Sequence, residues 1–422
     1  MLNKLKPKSE FSRNVLTLMT GTTVAQAIPI AISPILTRLY TPEDFGVLAL
    51  YMSIVSILGV IVTGQYELAI MLPKKENDAL NIFYLSIIIT SVISFLTLIS
   101  VIYFNNEITL LLNNPQISKW LYLIPVSIFI TGLFNSFNYW FNRNKDYKLL
   151  AKTKVTQSFI NSGSNLSLGF LKLTNLGLIL SSFLAQLIAV SLFIKTFQFK
   201  NIQLFHKKRI LILAKKYKKF PKITMLHTLF NSFSNNIPVL LIIQYFSNKE
   251  AGFFLFTNRI IGMPLSIISG AISTVFFKEI NDIKINQPKR LLTFYKSIIF
   301  KLLLLLIPLL TALFFILPLI IPIIFGEQWK DLAMYIQILL PMFLFRSIGS
   351  ILSHIIVVFD RQFKGFILEI LSFSIKGSSI LIGGFYHDIY IGLVLFSILS
   401  SLLTLYRIIW YQNIIKEYIN GL

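Results

Sequence analysis

Apolar runs of about twenty residues, separated by short polar gaps, recur along the whole chain. Twelve can be counted, at approximately 14–37, 46–71, 80–104, 118–141, 155–174, 176–195, 223–246, 251–277, 297–322, 332–358, 365–385 and 389–411. A helix of that length crosses the hydrocarbon of a bilayer. The pattern predicts an all-α integral membrane protein with about 12 transmembrane helices. The tightest turn falls at Lys172-Leu-Thr-Asn175, between the fifth and sixth runs. No gap is long enough for a soluble domain. The gap from Asn105 to Ser118 is the longest expected on the outer side.

Charge sharpens this picture. The chain carries 39 Lys+Arg against 17 Asp+Glu, a net charge of +22, yet it is 55% hydrophobic with a mean hydropathy of +0.73. A soluble nucleic-acid binder would not be this apolar, so no nucleic-acid partner is expected. Thirty of the basic residues fall in the termini and in every second gap, and five in the intervening gaps. The positive-inside rule then puts both termini in the cytoplasm and requires an even number of helices. The beginning, with Lys4, Lys6, Lys8 and Arg13 before an apolar run, imitates a signal peptide, and Ala25-Gln26-Ala27 imitates a cleavage site. The apolar stretch continues to Leu36, which favours an uncleaved first helix. Cysteine is absent, so disulfides and thiolate metal sites are excluded. No nucleotide-binding loop of the G-x-x-x-x-G-K-[ST] type occurs. No cofactor is expected.

The organisation is bipartite. Residues 1–198 form an expected first six-helix bundle and 223–422 a second, joined by a basic linker over 199–222. In the linker Leu204, Ile210, Leu213, Ala214 and Tyr217 recur near helical spacing among Lys207, Lys208, Arg209, Lys215, Lys216, Lys218 and Lys219. This reads either as an amphipathic helix held on the cytoplasmic leaflet by anionic membrane lipids or as a solvated linker. The halves resemble each other weakly. Tyr40-Thr-Pro-Glu-Asp-Phe-Gly46 aligns on Phe246-Ser-Asn-Lys-Glu-Ala-Gly252 with a shift of 206 residues. Asn144-Lys-Asp-Tyr-Lys148 aligns on Asp360-Arg-Gln-Phe-Lys364 with a shift of 216, which also carries Pro125 onto Pro341. Two six-helix repeats enter the membrane in the same sense, related by a pseudo-two-fold along its normal, and substrate would pass between them by alternating access.

Polar residues within the runs mark candidate chemistry, because lipid cannot satisfy them. The first helix carries Thr22, Gln26, Pro29, Ser33 and Pro34. Gln157, Asn161 and Asn165 form a stripe on one face of the fifth, and His227, Asn231 and Asn235 nearly the same stripe on the seventh. These stripes line a cavity or bond helix to helix. Charges are more pointed: Arg259 in the eighth helix, Arg346 and His354 in the tenth, Glu369 and Lys376 on one face of the eleventh. A charge at bilayer depth costs at least about 2.5–3.5 kcal/mol, so each needs water, a partner or substrate. Glu369 and Lys376 are either an ion pair or part of a site. His354 and His227 read first as packed, hydrogen-bonded residues. Lys301 and Arg407, near helix ends, read as snorkelling. The cationic excess suits an anionic substrate, since Arg grips phosphate oxygens in a fork. A path for drug cations would instead carry acids.

Leu36-Thr-Arg-Leu-Tyr-Thr-Pro-Glu-Asp-Phe-Gly46, then Gln65-Tyr-Glu-Leu-Ala-Ile-Met-Leu-Pro73-Lys-Lys-Glu-Asn-Asp-Ala79, resembles the opening of Wzx-type flippases of O-antigen and capsule repeat units. These belong to the multidrug/oligosaccharidyl-lipid/polysaccharide exporter superfamily. Tyr147-Lys148 resembles a further feature, whereas Gln65 stands where many members have a basic residue. The resemblance implies transport of an undecaprenyl-pyrophosphate-linked oligosaccharide across the bacterial inner membrane, towards the periplasm, for lipopolysaccharide or capsule synthesis. A polysaccharide polymerase and a chain-length regulator are the partners it implies. A drug/cation antiporter of the same superfamily is the alternative. A membrane polysaccharide polymerase is a more remote one, since no large outer loop and no catalytic constellation is evident. A non-enzymatic transporter is expected.

Overall fold

The computed structural model describes residues 10–197 and 206–421. Lys4, Lys6, Lys8 and Leu204, which entered the charge and periodicity readings, lie outside the described residues. Among the described residues every regular element is a helix: α1 (Glu10–Ala31), α2 (Ser33–Leu39), α3 (Pro42–Ile61), α4 (Tyr66–Ala69), α5 (Glu76–Leu111), α6 (Ser118–Leu121), α7 (Ile124–Arg143), α8 (Tyr147–Phe170), α9 (Thr174–Thr196), α10 (Lys207–Lys216), α11 (Met225–Tyr245), α12 (Asn248–Thr257), α13 (Met263–Asn286), α14 (Leu291–Phe325), α15 (Leu332–Leu352), α16 (Ile355–Val358), α17 (Gln362–Phe385) and α18 (Ile389–Asn420).

Nine helical segments among the described residues are long and apolar enough to cross a membrane, and a tenth arises if the segments Pro115–Leu121 and Ile124–Arg143, bent by 54°, are one span. The chain is therefore a multi-pass membrane protein. The remaining two of the twelve expected runs are α8 and α11. Both are helical, but both are too polar to join the others. They are the helices that carry the Gln/Asn and His/Asn stripes. The run Lys172–Asn175 is a turn, with Lys172 at φ 59°. The expected outer gap from Asn105 is mostly helix, since α5 continues to Leu111.

Local chemistry sets the helix starts. Thr41 caps α3 in a full capping box with Asp44, whose carboxylate accepts from the Thr41 amide at 3.0 Å. Ser247, the equivalent residue of the second heptad, caps α12 by accepting from the Glu250 amide at 3.3 Å. The aligned prolines differ more: Pro125 sits in the first turn of α7, whereas Pro341 lies inside α15. The break at Ile32 between α1 and α2 is flanked by Pro29 and Pro34. Where α3 ends, Gly64 and Gln65 adopt φ 60° and 58°, a left-handed turn that glycine makes at no steric cost. That turn leads into α4.

Contacts divide the chain into two units, residues 1–236 and 237–422, so the boundary falls inside α11 just before Pro238. In unit 1, α1 packs on α8, α8 on α9, and α5 on α7, with α3 against both α7 and α9. Its core is aromatic: Phe83 stacks on Phe197 at 5.2 Å and meets Phe137 edge-on at 5.0 Å, beside Trp140 and Phe193. Tyr40 is buried and donates to the Asn165 carbonyl at 2.8 Å. Burial, then the neighbouring Asp44, push its phenol up to about 12.

The amphipathic linker helix is α10, and it belongs to unit 1. Its apolar side is not left for lipid: Ile210 and Leu213 are buried in the Phe83–Trp140 core. The sequence could not show that α5 presents a receiving surface. Arg209 grips Asp78 through two contacts of 2.7 Å, and this carboxylate holds the guanidinium above its ordinary range. Tyr66 donates to the Ala214 carbonyl at 3.0 Å.

In unit 2, α15 and α17 pack on α18, and α13 and α14 on α15. Trp329 anchors the core against Phe256 at 4.5 Å and Phe253 at 5.8 Å. The α17–α18 crossing is backbone-close: a Cβ at Gly383 would lie 2.7 Å from the Gly392 Cα. A side chain at Gly383 would push the helices apart.

Candidate functional site

Two polar constellations stand out, one in each unit. In unit 1 a cavity of about 340 Å³ opens between α1, α3, α8 and α9, within the ~300–1,000 Å³ range of small-ligand pockets. Gln26, Gln157, Asn161 and Gln186 supply four amides, Thr22, Ser158 and Ser182 supply hydroxyls, and Lys154 is the one charged lining residue. On α8, Lys154, Gln157 with Ser158, and Asn161 recur at i, i+3/i+4 and i+7, which puts them on one face. Lys154 Nζ lies 3.4 Å from Thr22 Oγ1, and Ser158 donates to the Ala25 carbonyl at 2.5 Å, tying α8 to α1. Gln186 Nε2 donates to Thr131 Oγ1 at 3.0 Å, which fixes its amide from α7. The lining offers both donors and acceptors, with a single positive charge.

Asn165, the last member of the α8 stripe, is buried away from that lining. It donates to Asn161 Oδ1 at 3.3 Å, and its carbonyl takes the Tyr40 hydroxyl. The stripe on α11 also bonds to itself, Asn235 Nδ2 to Asn231 Oδ1 at 3.0 Å, while His227 is exposed. The adjacent face of α11 makes the contact with α3: Ser232 donates to the Ser56 carbonyl at 3.3 Å, and Asn236 reaches Ser56 Oγ at 3.4 Å.

In unit 2 the geometry collects charges from three helices. Arg407 of α18 pairs with Glu369 of α17 at 3.2 Å and donates to the Leu368 carbonyl at 2.7 Å. Lys376, two turns along α17, lies within electrostatic reach of Glu369, Arg346 and Arg407. Arg346 of α15 is exposed. Arg407 thus pairs with Glu369, and Lys376 lies within reach of that carboxylate and of two guanidinium groups. The reading of Arg407 as a snorkelling end residue is corrected: α18 runs on to Asn420, so Arg407 lies well inside the helix, with its side chain turned to Glu369. Glu369 has Arg407 as its hydrogen-bonded ion-pair partner.

The His354 ring packs tilted against Phe277, with centroids 4.6 Å apart, at the break between α15 and α16. Arg259 lies in a π-turn at Asn258–Gly262, with its guanidinium 5.9 Å from the Phe256 ring. Beyond these, a wide recess is lined by Glu250, His387, Asp388 and Tyr390. Its carboxylates have structural work: Asp388 caps α18, and Glu250 takes the Tyr335 hydroxyl.

Lys154 and Gln186 escaped the sequence reading, and Arg407 entered it only as a snorkelling residue. Lys154 falls in the gap between the fourth and fifth runs, a cytoplasmic one by charge, although its helical register with Gln157 and Asn161 is visible. Gln186 stood alone in an apolar run and carried no pattern.

Residues 35–334 match the model of a family described as polysaccharide biosynthesis protein. No curated protein matches the sequence. Among solved structures, the chain is similar to an inward-facing multidrug resistance MATE family transporter of the MOP superfamily, with 13% identity and a TM-score of 0.72 over 95% of this chain and 96% of that one. It is also similar to the lipid II flippase MurJ in an inward closed conformation, with 14% identity and a TM-score of 0.67 over 96% and 90%. A third is a MOP superfamily transporter from Pyrococcus furiosus described as having a binding pocket of reverse polarity, with 13% identity and a TM-score of 0.61 over 96% of each chain. At these identities the likeness is one of fold.

Proposed function

Since the chain belongs to the polysaccharide biosynthesis protein family, matching its model over residues 35–334, we propose that it is a Wzx-type flippase. In this reading it moves an undecaprenyl-pyrophosphate-linked oligosaccharide from the cytoplasmic to the periplasmic leaflet of the bacterial inner membrane. The product feeds O-antigen or capsule synthesis, and a polymerase with its chain-length regulator takes it up. Both termini are cytoplasmic in this orientation. The folds the chain resembles are those of transporters and a flippase.

The observation that carries the proposal is the cationic excess of unit 2, where Lys376 lies within electrostatic reach of Arg346, Arg407 and Glu369, and Arg407 pairs with Glu369. Such a set suits a diphosphate, because charge-assisted bonds from Arg and Lys neutralise an anion that lipid would reject. The amide- and hydroxyl-lined cavity of unit 1 suits the saccharide. Hydroxyls need donors and acceptors in fixed directions, which is what Gln26, Gln157, Asn161 and Gln186 offer. A drug/cation antiporter predicts carboxylates in these places, and the lining of the unit-1 cavity has none.

Deletion of the gene followed by lipid analysis tests the reading. Complete single repeat units facing the cytoplasm are the expected outcome, and units already outside would support the polymerase instead. Arg346→Gln at normal membrane level is expected to abolish surface polysaccharide. Unchanged polysaccharide would remove Arg346 from the site.

A further inference from the structure

The linker helix α10 has a second face that the fold of unit 1 leaves open. Ile210 and Leu213 are spent on the aromatic core, and the Arg209–Asp78 grip fixes the rotation of the helix about its axis. The opposite side presents Leu211 and Ile212, two large apolar side chains that are 63% and 54% exposed. At about 100° per residue, Leu211 projects between Lys207 and Lys215, and Ile212 between Lys208 and Lys216. All four lysines are exposed. Lys216 Nζ also lies 5.3 Å from the Tyr217 ring.

The surroundings are as one-sided as the helix. No Asp or Glu occurs between Asp146 and Glu250, so α10 and its flanks offer no acid of their own. Asp78, supplied by α5, is occupied by Arg209. A water-facing helix gains nothing from two adjacent bulky apolar residues, whereas apolar residues framed by lysines match an interface of acyl chains beneath anionic headgroups.

We propose that the outer face of α10 is a binding surface for anionic phospholipid headgroups of the leaflet that α10 adjoins. Leu211 and Ile212 enter the acyl boundary and the four lysines hold phosphates. Because Arg209, Ile210 and Leu213 bolt the helix to α5, headgroup binding there bears on the position of unit 1 at that surface. This assignment is independent of which substrate the protein carries.

The chain has no cysteine, so Leu211→Cys gives a single thiol for an environment-sensitive fluorophore in the full-length protein. In nanodiscs of phosphatidylcholine with phosphatidylglycerol, the emission is expected to shift to the blue and to be quenched by tail-brominated lipid. In phosphatidylcholine alone it is expected to stay water-like. Lys207→Gln, Lys208→Gln, Lys215→Gln and Lys216→Gln combined are expected to erase the difference. Native mass spectrometry of the unlabelled protein gives a second reading. At about five-fold per lysine, the combined variant is expected to lose at least about 100-fold in phosphatidylglycerol affinity. Equal emission in both nanodiscs, retention of affinity by the combined variant, or competition by millimolar inorganic phosphate would each overturn the assignment.

Discussion

The two units handle charge in opposite ways. In unit 1, Lys154 stands among four amides, and no carboxylate lines its cavity. In unit 2, Lys376 lies within electrostatic reach of Arg346, Arg407 and Glu369, and Arg407 pairs with Glu369. Their acids differ as well. Glu67 of unit 1 is buried and accepts from the Thr63 hydroxyl, whereas Glu369 is held by a guanidinium. Burial pushes the Glu67 carboxyl up from its ordinary range. Neutral amides supply direction with little charge, and grouped cations supply charge with less direction. A ligand with a hydroxyl-rich end and a diphosphate needs both.

The most severe break in this comparison is reversal of the single charge in unit 1. Lys154→Glu is expected to lower surface polysaccharide by more than about 100-fold, a loss of the order of a charge-assisted contact replaced by repulsion, while Lys154→Arg retains most of it. Equal activity of the two variants would reduce Lys154 to a helix-packing residue. Next comes the ion pair of unit 2. Arg407→Leu leaves Glu369 without its guanidinium, and with both side chains about a fifth exposed the expected cost is about 2 kcal/mol, below that of a fully buried pair. Thermal melts in detergent measure it, and adding Glu369→Gln should recover part of the loss. Strict additivity of the two changes would mean that the pair does not act as one.

Removing direction without charge should cost less. Gln157→Leu is expected to reduce flux about tenfold, the scale of one or two lost hydrogen bonds, with no change in melting midpoint. A smaller effect distinguishes the two capped heptads. Thr41→Ala dismantles a complete capping box and is expected to cost about 1 kcal/mol. Ser247→Ala costs less, because Glu250 is engaged by Tyr335 rather than by the cap. The smallest effect is at Glu67. Its raised pKa means that the fold prefers the protonated form, so its destabilising contribution grows as pH rises above the ordinary carboxylate range and is absent below it. Glu67→Gln should therefore raise the melting midpoint at pH 8 and leave it unchanged near pH 4.

Much of the architecture was legible in the chain. The positions of the long helices, the break flanked by Pro29 and Pro34, the Lys172 turn and the amphipathic character of 207–216 all follow from local composition. The polar stripes on α8 and α11 were legible too, but not their uses. Gln157 and Asn161 line a cavity, Asn165 locks onto Tyr40, and Asn231 bonds Asn235. Residues of one stripe part company because a helix face is wider than one neighbour. What each side chain meets depends on which helix packs over it.

The sequence by itself determined that this protein lives in a membrane and that it is built of helices, because lipid offers backbone groups no partner but the helix itself. It also determined which polar and charged residues must be explained. Only the tertiary structure decided their partners. Thr22 and Lys154 are 132 residues apart, Asp78 and Arg209 are 131 apart, and Glu369 and Arg407 are 38 apart. A side-chain bond acts over about three ångströms of space, and no periodicity along the chain encodes which distant helix supplies the other atom.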